Sequence, residues 1–365
     1  MLESFLKLLD GQRPDRTVWT ADITYWIAGQ KASGKSRPDW DGEEGYLQLH
    51  RDLGIMPYYY YDKFWLASPQ YSGGIDVTHE ADGDRSVNSI RTPVGTLSEI
   101  NTYLPSSCST GCTKHYVQSE RDLDVLLYVL EHRCLAPDNL DDYPERMSLW
   151  ERYRGLPCLG LPRSPLCSLM YEWAGIERTS YLLADCPDKV AAALGLMEEQ
   201  EGPILDALCE VRPPLVHFPD NLSSDNLAGC YDAYLRRTHS ARLERLHAAG
   251  IKAAVHLDGT VRGLLGKLVA VGFDAVEALT PAPAGDLTLA QIAETAGSES
   301  VILWGGVPGV MFSAPYTWAD MEAHVKQLLE CWRGRPFVVG VADQVPPDGD
   351  VALCRRIAEM LLAQE

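Results

Sequence analysis

The sequence predicts an α/β fold of the (β/α)₈ TIM-barrel class, with an N-terminal extension and an inserted β-hairpin. Three observations carry this prediction. The second half of the chain alternates short β-rich segments with helical ones, which indicates parallel strands joined by crossover helices. The first half supplies the further strands that a barrel needs. No glycine-rich dinucleotide fingerprint opens these strand–helix units, which disfavours a doubly wound sheet.

Three strand candidates lie in the N-terminal half of the chain. They are RTVWTADI (16–23), PYYYYD (57–62) and PCLGLP (157–162). Residues 75–104 differ from them, because they alternate apolar and polar side chains around the turn-prone ADGD and so predict an antiparallel β insertion. We therefore expect residues 1–365 to form a single barrel domain that carries this insertion.

Five strand–helix units follow in the C-terminal half. The predicted strands are 213–220, 252–259, 273–281, 301–308 and 337–347. The predicted helices are 230–250, 261–272, 287–297, 317–334 and 350–365. Gly250 and Gly272 stand where a helix C-terminus favours left-handed backbone, which marks the ends of the first two helices. With the N-terminal candidates, the total reaches the eight strands of a barrel.

Composition and charge restrict the class of function. The formal charge of −19 arises from 32 basic and 51 acidic residues, which argues against nucleic-acid binding and docking on anionic lipid. We find no apolar run of about 18 residues and no signal-peptide pattern at the start. Ten scattered cysteines are typical of reduced thiols. We expect a cytoplasmic enzyme with a small-molecule substrate, and the oligomeric state stays open.

The candidate site follows from the predicted fold, because barrel enzymes take their reactive residues from the carboxyl ends of the strands. The polar or special residues that end the predicted strands are Asp22, Asp220, Asn221, His256, Asp258, Glu277, Trp304, Gly305, Gly306, Asp343 and Gln344. We expect them to converge at one mouth. The residues that we assign to substrate binding are Asp22, Asn221, Trp304 and Gln344. Asp220 and Glu277 are the candidates for proton transfer.

His256, Asp258 and Asp343 would supply one imidazole and two carboxylates. Three such ligands, with one position left open, describe a catalytic divalent-metal site. Zinc is the first candidate, and manganese or iron are alternatives because the ligand set is hard. Glu277 would be a fourth ligand or a general base, and without a metal His256 could form an acid–base pair with it. The plain alternative is that strand ends are polar simply because they meet loops and solvent.

Several segments resemble a known family. In order along the chain, they are PPLVHFPDNLSSDNLAG, HLDG, GFDAVEALTPAPAGD, WGGVP and VVGVADQVPPDGD. They resemble the uroporphyrinogen decarboxylase superfamily, which also contains the cobalamin- and coenzyme M-dependent methyltransferases. GQRPDRTVW resembles the opening of that family, and RTPVGTLSE resembles its Thr-Pro-x-Gly segment. The resemblance covers nearly the whole chain and implies a TIM barrel.

The methyltransferase branch binds zinc through His-x-Cys after one strand and a Cys after the last. His256 matches the histidine, while Asp258 and Asp343 stand at the two cysteine positions. The paired exchange keeps ligating chemistry but changes the electronic character of the metal. The resemblance implies methyl transfer to an activated thiol or hydroxyl, from a corrinoid donor carried by a partner protein. Glu277 or Asp220 would take the proton.

Two alternatives stay open. The decarboxylase branch holds the carboxylates of its tetrapyrrole with an Arg-Gln-Ala-Gly-Arg motif, whereas the comparable WTADITYWIAGQ has no arginine. Together with the negative charge, this argues against uroporphyrinogen as substrate. Metal-free decarboxylation of a porphyrinogen or another carboxylated substrate, assisted by Asp22 or Asp220, is the first alternative. A barrel that binds a corrinoid without chemistry is the second.

Three further features have plainer interpretations. Cys108, Cys112 and His115 in CSTGCTKH could hold zinc, but a structural site needs a fourth ligand, so free thiols are favoured. His217 is interpreted as a strand-end or core histidine, and His239 as a histidine on a helix surface. The tyrosine- and tryptophan-rich segments favour packing over a cofactor cavity.

Overall fold

The computed structural model describes residues 1–363, and within that range a parallel sheet curls into a barrel. The strands are β1 (Trp19–Asp22), β2 (Ala67–Tyr71), β3 (Asp76–Asp82), β4 (Arg85–Thr92), β5 (Gly95–Leu104), β6 (Ser109–Lys114), β7 (Arg133–Pro137), β8 (Leu159–Gly160), β9 (Leu215–Leu222), β10 (Lys252–Leu257), β11 (Ala275–Leu279), β12 (Ile302–Pro308) and β13 (Phe337–Gln344). Hydrogen bonds join the barrel strands in the order β1-β13-β12-β11-β10-β9-β8. The predicted fold class is confirmed.

Helices surround this sheet, cover its amino end and pack against the inserted strands β3–β6. They are α1 (Leu2–Leu9), α2 (Thr24–Ala32), α3 (Gly42–Leu53), α4 (Glu120–Glu131), α5 (Tyr143–Arg152), α6 (Pro165–Ser168), α7 (Ile176–Asp185), α8 (Pro187–Glu199), α9 (Gly202–Val211), α10 (Ser224–Leu227), α11 (Tyr231–Tyr234), α12 (Arg236–Ala248), α13 (Leu265–Val271), α14 (Leu289–Ala296), α15 (Trp318–Cys331) and α16 (Ala352–Leu362). Among residues 1–363, no helix is both long and apolar enough to cross a membrane.

The predicted strand at 57–62 is wrong as a strand, although the segment occupies the eighth position of the barrel. The amide of Met56 donates to the carbonyl of Trp19 in β1 at 2.9 Å. On the other side, the amide of Cys158 donates to the carbonyl of Tyr58 at 3.0 Å. Pro57 has no N–H for a regular ladder, which interrupts the strand pattern. This irregular segment therefore closes the gap between β1 and β8.

Within residues 1–363 the predicted helices of the C-terminal half are present, with one correction, and the last two residues of the helix predicted at 350–365 lie outside the described range. The helix predicted at 230–250 is divided into α11 and α12, which meet at Leu235. Gly250 and Gly272 follow their helices with φ of 78° and 109°, the left-handed backbone that the sequence predicted there. A capping box at Thr288 and Gln291 begins α14. These crossover helices keep all barrel strands parallel, so their carboxyl ends meet at one end.

The insertion is larger than the sequence predicted. It is a four-stranded antiparallel sheet in the order β3-β4-β5-β6, and it runs from Asp76 to Lys114 rather than stopping at residue 104. Ile90 and Leu97 are buried on one of its faces in an apolar cluster that also contains Val125 of α4. The insertion therefore has its own small core, formed with helices that follow it in the chain.

The amino end of the barrel is filled by apolar and aromatic side chains. Phe5 of α1 packs edge-on against Trp304 of β12, with ring centroids 5.1 Å apart, and both side chains are almost fully buried. The same cluster contains residues from the starts of the strands, which are Leu215, Ala254, Ala275, Ile302 and Val338. Burial of the larger of these side chains, such as Phe5 and Leu215, stabilises the fold by roughly 1.5–3 kcal/mol each. Helix α1 thus covers the apolar, amino end of the barrel.

Candidate active site at the carboxyl end of the barrel

A cavity of about 360 Å³ opens at the carboxyl ends of the strands. The residues that line it are Asp22, Thr24, Tyr25, Tyr59, Tyr61, Phe64, Trp65, Arg163, His217, Pro219, Asn221, His256, Glu277, Asp343 and Gln344. Most of the site residues that the sequence singled out are therefore brought to one place. The cavity is at the small end of the range for small-molecule sites.

His256, Asp258 and Asp343 form a compact ligand cluster at this mouth. One potential ligand atom from each residue lies within 4.8 Å of the other two. His256 ends the inner face of β10, Asp258 follows it by two residues, and Asp343 comes from the end of β13. The imidazole and Asp258 are partly buried, whereas Asp343 is exposed. Their spacing is compatible with joint coordination of one cation after small side-chain adjustments.

Unusual backbone conformations concentrate at the same end of the barrel. Asn221, Ala278 and Asp343 adopt φ of 52°, 65° and 65°, in the left-handed region that side chains other than glycine rarely adopt. The ladders also change register near the mouth, between Val255 and Leu257 and between Val276 and Leu279. Strained residues and bulges of this kind cluster at functional sites, where they redirect side chains at strand ends.

Glu277 on β11 orients His256 through a hydrogen bond to its Nδ1. Its carboxylate is almost completely buried and accepts hydrogen bonds from Tyr58 Oη at 3.0 Å and from His256 Nδ1 at 2.7 Å. Nε2 of His217 lies 3.4 Å away. Because Nδ1 of His256 is engaged, Nε2 is the nitrogen left for a ligand or substrate. The sequence had proposed Glu277 as a base or fourth ligand, but these contacts suit an orienting carboxylate.

Interactions at the mouth raise the pKa values of His256 and Asp343 and lower the pKa of Glu277. Burial disfavours the charged imidazole of His256, but Glu277, Asp258 and Asp343 outweigh it and raise its pKa to about 9. Burial favours the neutral form of Glu277, yet His256 and His217 lower its pKa to about 2. Desolvation and the charge of Asp258 raise the pKa of Asp343 to about 6. An acidic pocket thus surrounds one imidazolium when no metal is bound.

His217 and Tyr59 are site residues that the sequence analysis did not select. His217 is fully buried, and the Tyr59 hydroxyl lies 2.7 Å from its Nε2. Burial lowers the pKa of His217, which Glu277 offsets only in part, so this imidazole is neutral at physiological pH. The period-two alternation from Leu215 places His217 on the inner face of β9, and that signal could have identified it.

A second hydrogen-bond network lines the other side of the cavity. Oδ1 of Asp22 accepts from the amide of Thr24 at 2.8 Å, and Oδ2 accepts from the hydroxyl of Tyr61 at 2.9 Å. Gln344 donates from Nε2 to the same hydroxyl at 3.3 Å, and its Oε1 accepts from the amide of Tyr25. Burial raises the pKa of Asp22. Asp22 and Gln344 therefore line the cavity as parts of a preorganised wall.

Asp220 does not belong to the cavity, contrary to the sequence-based assignment. Its carboxylate is fully buried and accepts from the amide and hydroxyl of Ser164 at 2.6 and 2.7 Å. His239 Nε2 lies 2.8 Å from it, and these contacts, with Arg242 nearby, outweigh burial and hold the pKa of Asp220 well below its usual value. The prediction that His239 lies on a helix surface is also wrong, because this pairing buries it completely. The cluster ties α12 to β9.

Trp304 is likewise separate from the cavity. It lies in the middle of β12, which continues to Pro308, so it is not a strand-end residue. Its Nε1 donates to Thr20 Oγ1 at 2.8 Å, and its ring is 4.7 Å from that of Tyr58. The tryptophan belongs to the apolar cluster at the amino end of the barrel and does not line the cavity where the sequence analysis expected it.

Comparisons with known proteins identify the fold. No protein-family model and no curated protein matches the sequence. Among solved structures, a methyltransferase from Methanosarcina mazei aligns with a TM-score of 0.61, with 13% identity, over 99% of this chain and 98% of that chain. The chain shares the fold of that methyltransferase. The likeness is one of fold, and it agrees with the fold class that the sequence predicted.

A second neighbour is a B12-independent methionine synthase from a Shewanella species. It aligns with a TM-score of 0.49 and 11% identity, over 95% of this chain and 98% of that chain. At 13% identity the alignment with the Methanosarcina mazei methyltransferase describes architecture rather than reaction. The chemistry of this chain must therefore be argued from its own side chains.

Proposed function

We propose that this protein is a metal-dependent methyltransferase that activates a small thiol or hydroxyl acceptor at the mouth of its barrel. The observation that carries the proposal is the convergence of His256, Asp258 and Asp343, whose ligand atoms lie within 4.8 Å of one another. The fold shared with a methyltransferase makes this reaction class the first one to test.

The donor set fits a divalent metal. One imidazole and two carboxylates match the mixed ligands of catalytic zinc sites, and they also suit manganese or iron. Glu277 fixes the orientation of His256 through Nδ1, as carboxylates behind metal-bound histidines commonly do. A metal held there would act as a Lewis acid and lower the pKa of the acceptor's thiol or hydroxyl.

The protein's own groups would handle the acceptor and its proton. The buried, neutral His217 is the proposed proton acceptor, because it lines the cavity and Glu277 beside it would stabilise the imidazolium formed. Four other residues line the cavity and would position the acceptor. They are Asp22, Asn221, Gln344 and Tyr61. This assignment replaces Asp220, which is sealed inside the protein, and Glu277, whose carboxylate already has three donors around it.

The methyl donor in this proposal is a corrinoid presented by a partner protein. A cavity of about 360 Å³ suits a small acceptor, so the donor would approach from the open side, where Asp343 is exposed. Decarboxylation of a porphyrinogen is less well supported. Arg163 is the one permanent cation among the cavity-lining residues of the described range, and its Nε lies 3.3 Å from Glu172. Many substrate carboxylates would need more positive charge.

Metal content and activity of matched variants test the proposal. We expect wild-type protein reloaded after chelation to hold one more equivalent of zinc than either Asp258→Asn or Asp343→Asn. The control, Asp225→Asn, removes an exposed carboxylate after β9 and should keep that equivalent. With methylcobalamin and small thiols or alcohols, turnover should require the same two aspartates. Equal metal content in all four proteins would contradict the metal site, and turnover unaffected by either variant would contradict the mechanism.

A further inference from the structure

A second group of metal-ligating side chains lies on the inserted sheet, outside the barrel. Glu99 belongs to β5, Cys112 belongs to β6, and His115 follows β6 directly. One potential ligand atom from each lies within 4.8 Å of the other two. The sequence had suggested Cys108 in place of Glu99. Cys108 instead lies in the turn between the two strands, with φ of 50° and its Sγ 3.6 Å from the carbonyl of Pro105.

We propose that Glu99, Cys112 and His115 bind a divalent, thiophilic metal ion, with zinc as the best match. One carboxylate oxygen, one thiolate and one imidazole form a donor set in which the soft sulfur selects zinc over magnesium or calcium. Water would complete a tetrahedral shell. The site is independent of the barrel mouth, which contains no thiol among its cluster residues.

The surroundings of Glu99 prepare it for this role. Its Oε2 accepts hydrogen bonds from Asn88 Nδ2 at 3.0 Å and from Asn101 Nδ2 at 2.8 Å. Its Oε1 faces Cys112, whose Sγ lies 3.9 Å away. One oxygen is thus held by amides while the other is directed at the thiol, which is how outer residues orient a ligating carboxylate. Cys112 is exposed, so an ion can reach it from solvent.

His115 supplies an independent observation that points to a ligand. Its Nδ1 is buried and has no hydrogen-bond partner within residues 1–363. The opposite edge of the ring lies against Gly175, where a Cβ would come within 2.6 Å of Cδ2 and 3.0 Å of Nε2. A buried, unpaired nitrogen is costly and rare in folded proteins. A metal ion in the cluster would give that nitrogen the partner it lacks.

The consequence of binding would be structural. An ion at this position would join the neighbouring strands β5 and β6 to the segment that leads into α4. Through His115 it would also fix the sheet against Gly175, the residue before α7. We therefore expect zinc to raise the resistance of residues 95–115 to proteolysis, since a bound metal stabilises only the folded arrangement.

Cobalt substitution separates this site from the barrel mouth. Only a thiolate ligand gives a sulfur-to-cobalt charge-transfer band in the near ultraviolet, so the band reports Cys112 and not the aspartate-containing cluster. We expect the band in wild-type protein loaded with Co²⁺, in Asp343→Asn and in Cys108→Ser. We expect Cys112→Ser to lose it. Glu99→Gln should weaken Co²⁺ binding by at least ~10-fold.

Each contrary result is decisive. Absence of the band from the wild type, or its persistence in Cys112→Ser, would overturn the site. Loss of the band in Cys108→Ser would assign the metal to the two cysteines of the sequence motif instead. Unchanged Co²⁺ affinity in Glu99→Gln would show that the Glu99 carboxylate is not a ligand and would overturn the three-ligand site. Because Asp343→Asn leaves this site intact, failure of the barrel-mouth metal would be recognised separately.

Discussion

The two ends of the barrel interior differ in chemistry although the same strands build both. Three strands place an apolar side chain in the amino-end cluster and a polar one two residues later. These pairs are Leu215 and His217, Ala254 and His256, and Ala275 and Glu277. Two residues of strand advance by only about 7 Å. The inner face therefore changes from packed core to charged site within a single step.

Tyr58 connects the two layers. Its ring packs 4.7 Å from Trp304 in the apolar layer, and its hydroxyl donates to Glu277 in the polar one. The polar layer satisfies its buried charges with one another, whereas the apolar layer derives its stability from burial and packing. We therefore expect changes in one layer to reach the other mainly through this tyrosine.

The largest expected effect comes from breaking the apolar layer. Trp304→Ala should lower the free energy of unfolding by about 3–5 kcal/mol, since it leaves a cavity among Phe5, Tyr58 and Thr20. Urea denaturation measures this. The fraction that remains folded should still bind zinc at the mouth with nearly wild-type affinity. A small stability loss accompanied by lost zinc binding would contradict the separation of the two layers.

The rhythm of strands and helices was predictable from the sequence because hydrophobic periodicity is a local property. The one predicted barrel strand that is not a strand within residues 1–363, residues 57–62, fails for a local cause too. Pro57 breaks the ladder, and the tyrosines that favour a strand serve other purposes, such as the Tyr61 hydroxyl on Asp22. Periodicity indicates which face of a segment is buried, but it does not describe the hydrogen bonds that a segment makes with its neighbours.

The site was predictable only in part, for a different reason. His256, Asp258 and Asp343 lie at or just after strand ends and stand at the ligand positions of the family that the sequence resembles, so position alone selected them. His217 was correctly interpreted as a strand or core histidine but was not selected for the site, and the Asp220–His239 pair was misjudged. A buried polar residue is explained by its partner, and the partner is distant in sequence. Trp304 was misplaced although the predicted strand already ended at residue 308, as β12 does, because a residue in the middle of that strand was counted as part of its end. Pairing across the fold is the information that one sequence lacks.

Glu277→Gln has the next largest expected effect. It tests whether the Glu277 carboxylate holds His256 in the orientation that binds a metal. Removing this charge should lower the pKa of His256 from about 9 towards its ordinary value, because Glu277 is the strongest interaction that raises it. Above about pH 9, where His256 is deprotonated in both proteins, zinc affinity at the mouth should fall by roughly 10–100-fold because the imidazole is no longer oriented. Histidine titration by NMR and zinc titration measure the two effects. The control, Glu294→Gln on the exposed face of α14, should change neither.

The pH dependence of the site sharpens the same comparison. Zinc must displace the proton of His256, so zinc affinity should rise on the order of tenfold per pH unit up to about pH 9. Below about pH 6, protonation of Asp343 should steepen this dependence. The stability of the metal-free protein should change with pH in the opposite direction to zinc affinity, falling as pH rises. The raised pKa of His256 contributes stability that is fully present below pH 6.5 and is lost as pH rises through about 9.

Zinc titrations and denaturation of the metal-free protein at several pH values check these trends. His256→Asn should flatten both profiles, whereas Trp304→Ala should shift the stability curve downwards without changing its shape. Parallel trends in zinc affinity and metal-free stability would show that His256 is not the titrating ligand.

Tyr61→Phe has the smallest expected effect and tests whether the mouth contains one hydrogen-bond network or two. The hydroxyl lies 2.9 Å from Asp22 Oδ2, but Asp22 keeps the amide of Thr24, so the free energy of unfolding should fall by only about 0.5–1.5 kcal/mol. Zinc affinity should stay unchanged, because no described contact joins Tyr61 to His256 or Glu277 within residues 1–363. A loss of zinc affinity similar to that of Glu277→Gln would mean that both walls of the cavity act as a unit. With affinity retained, the Asp22 wall could be altered for a new acceptor without disturbing the metal.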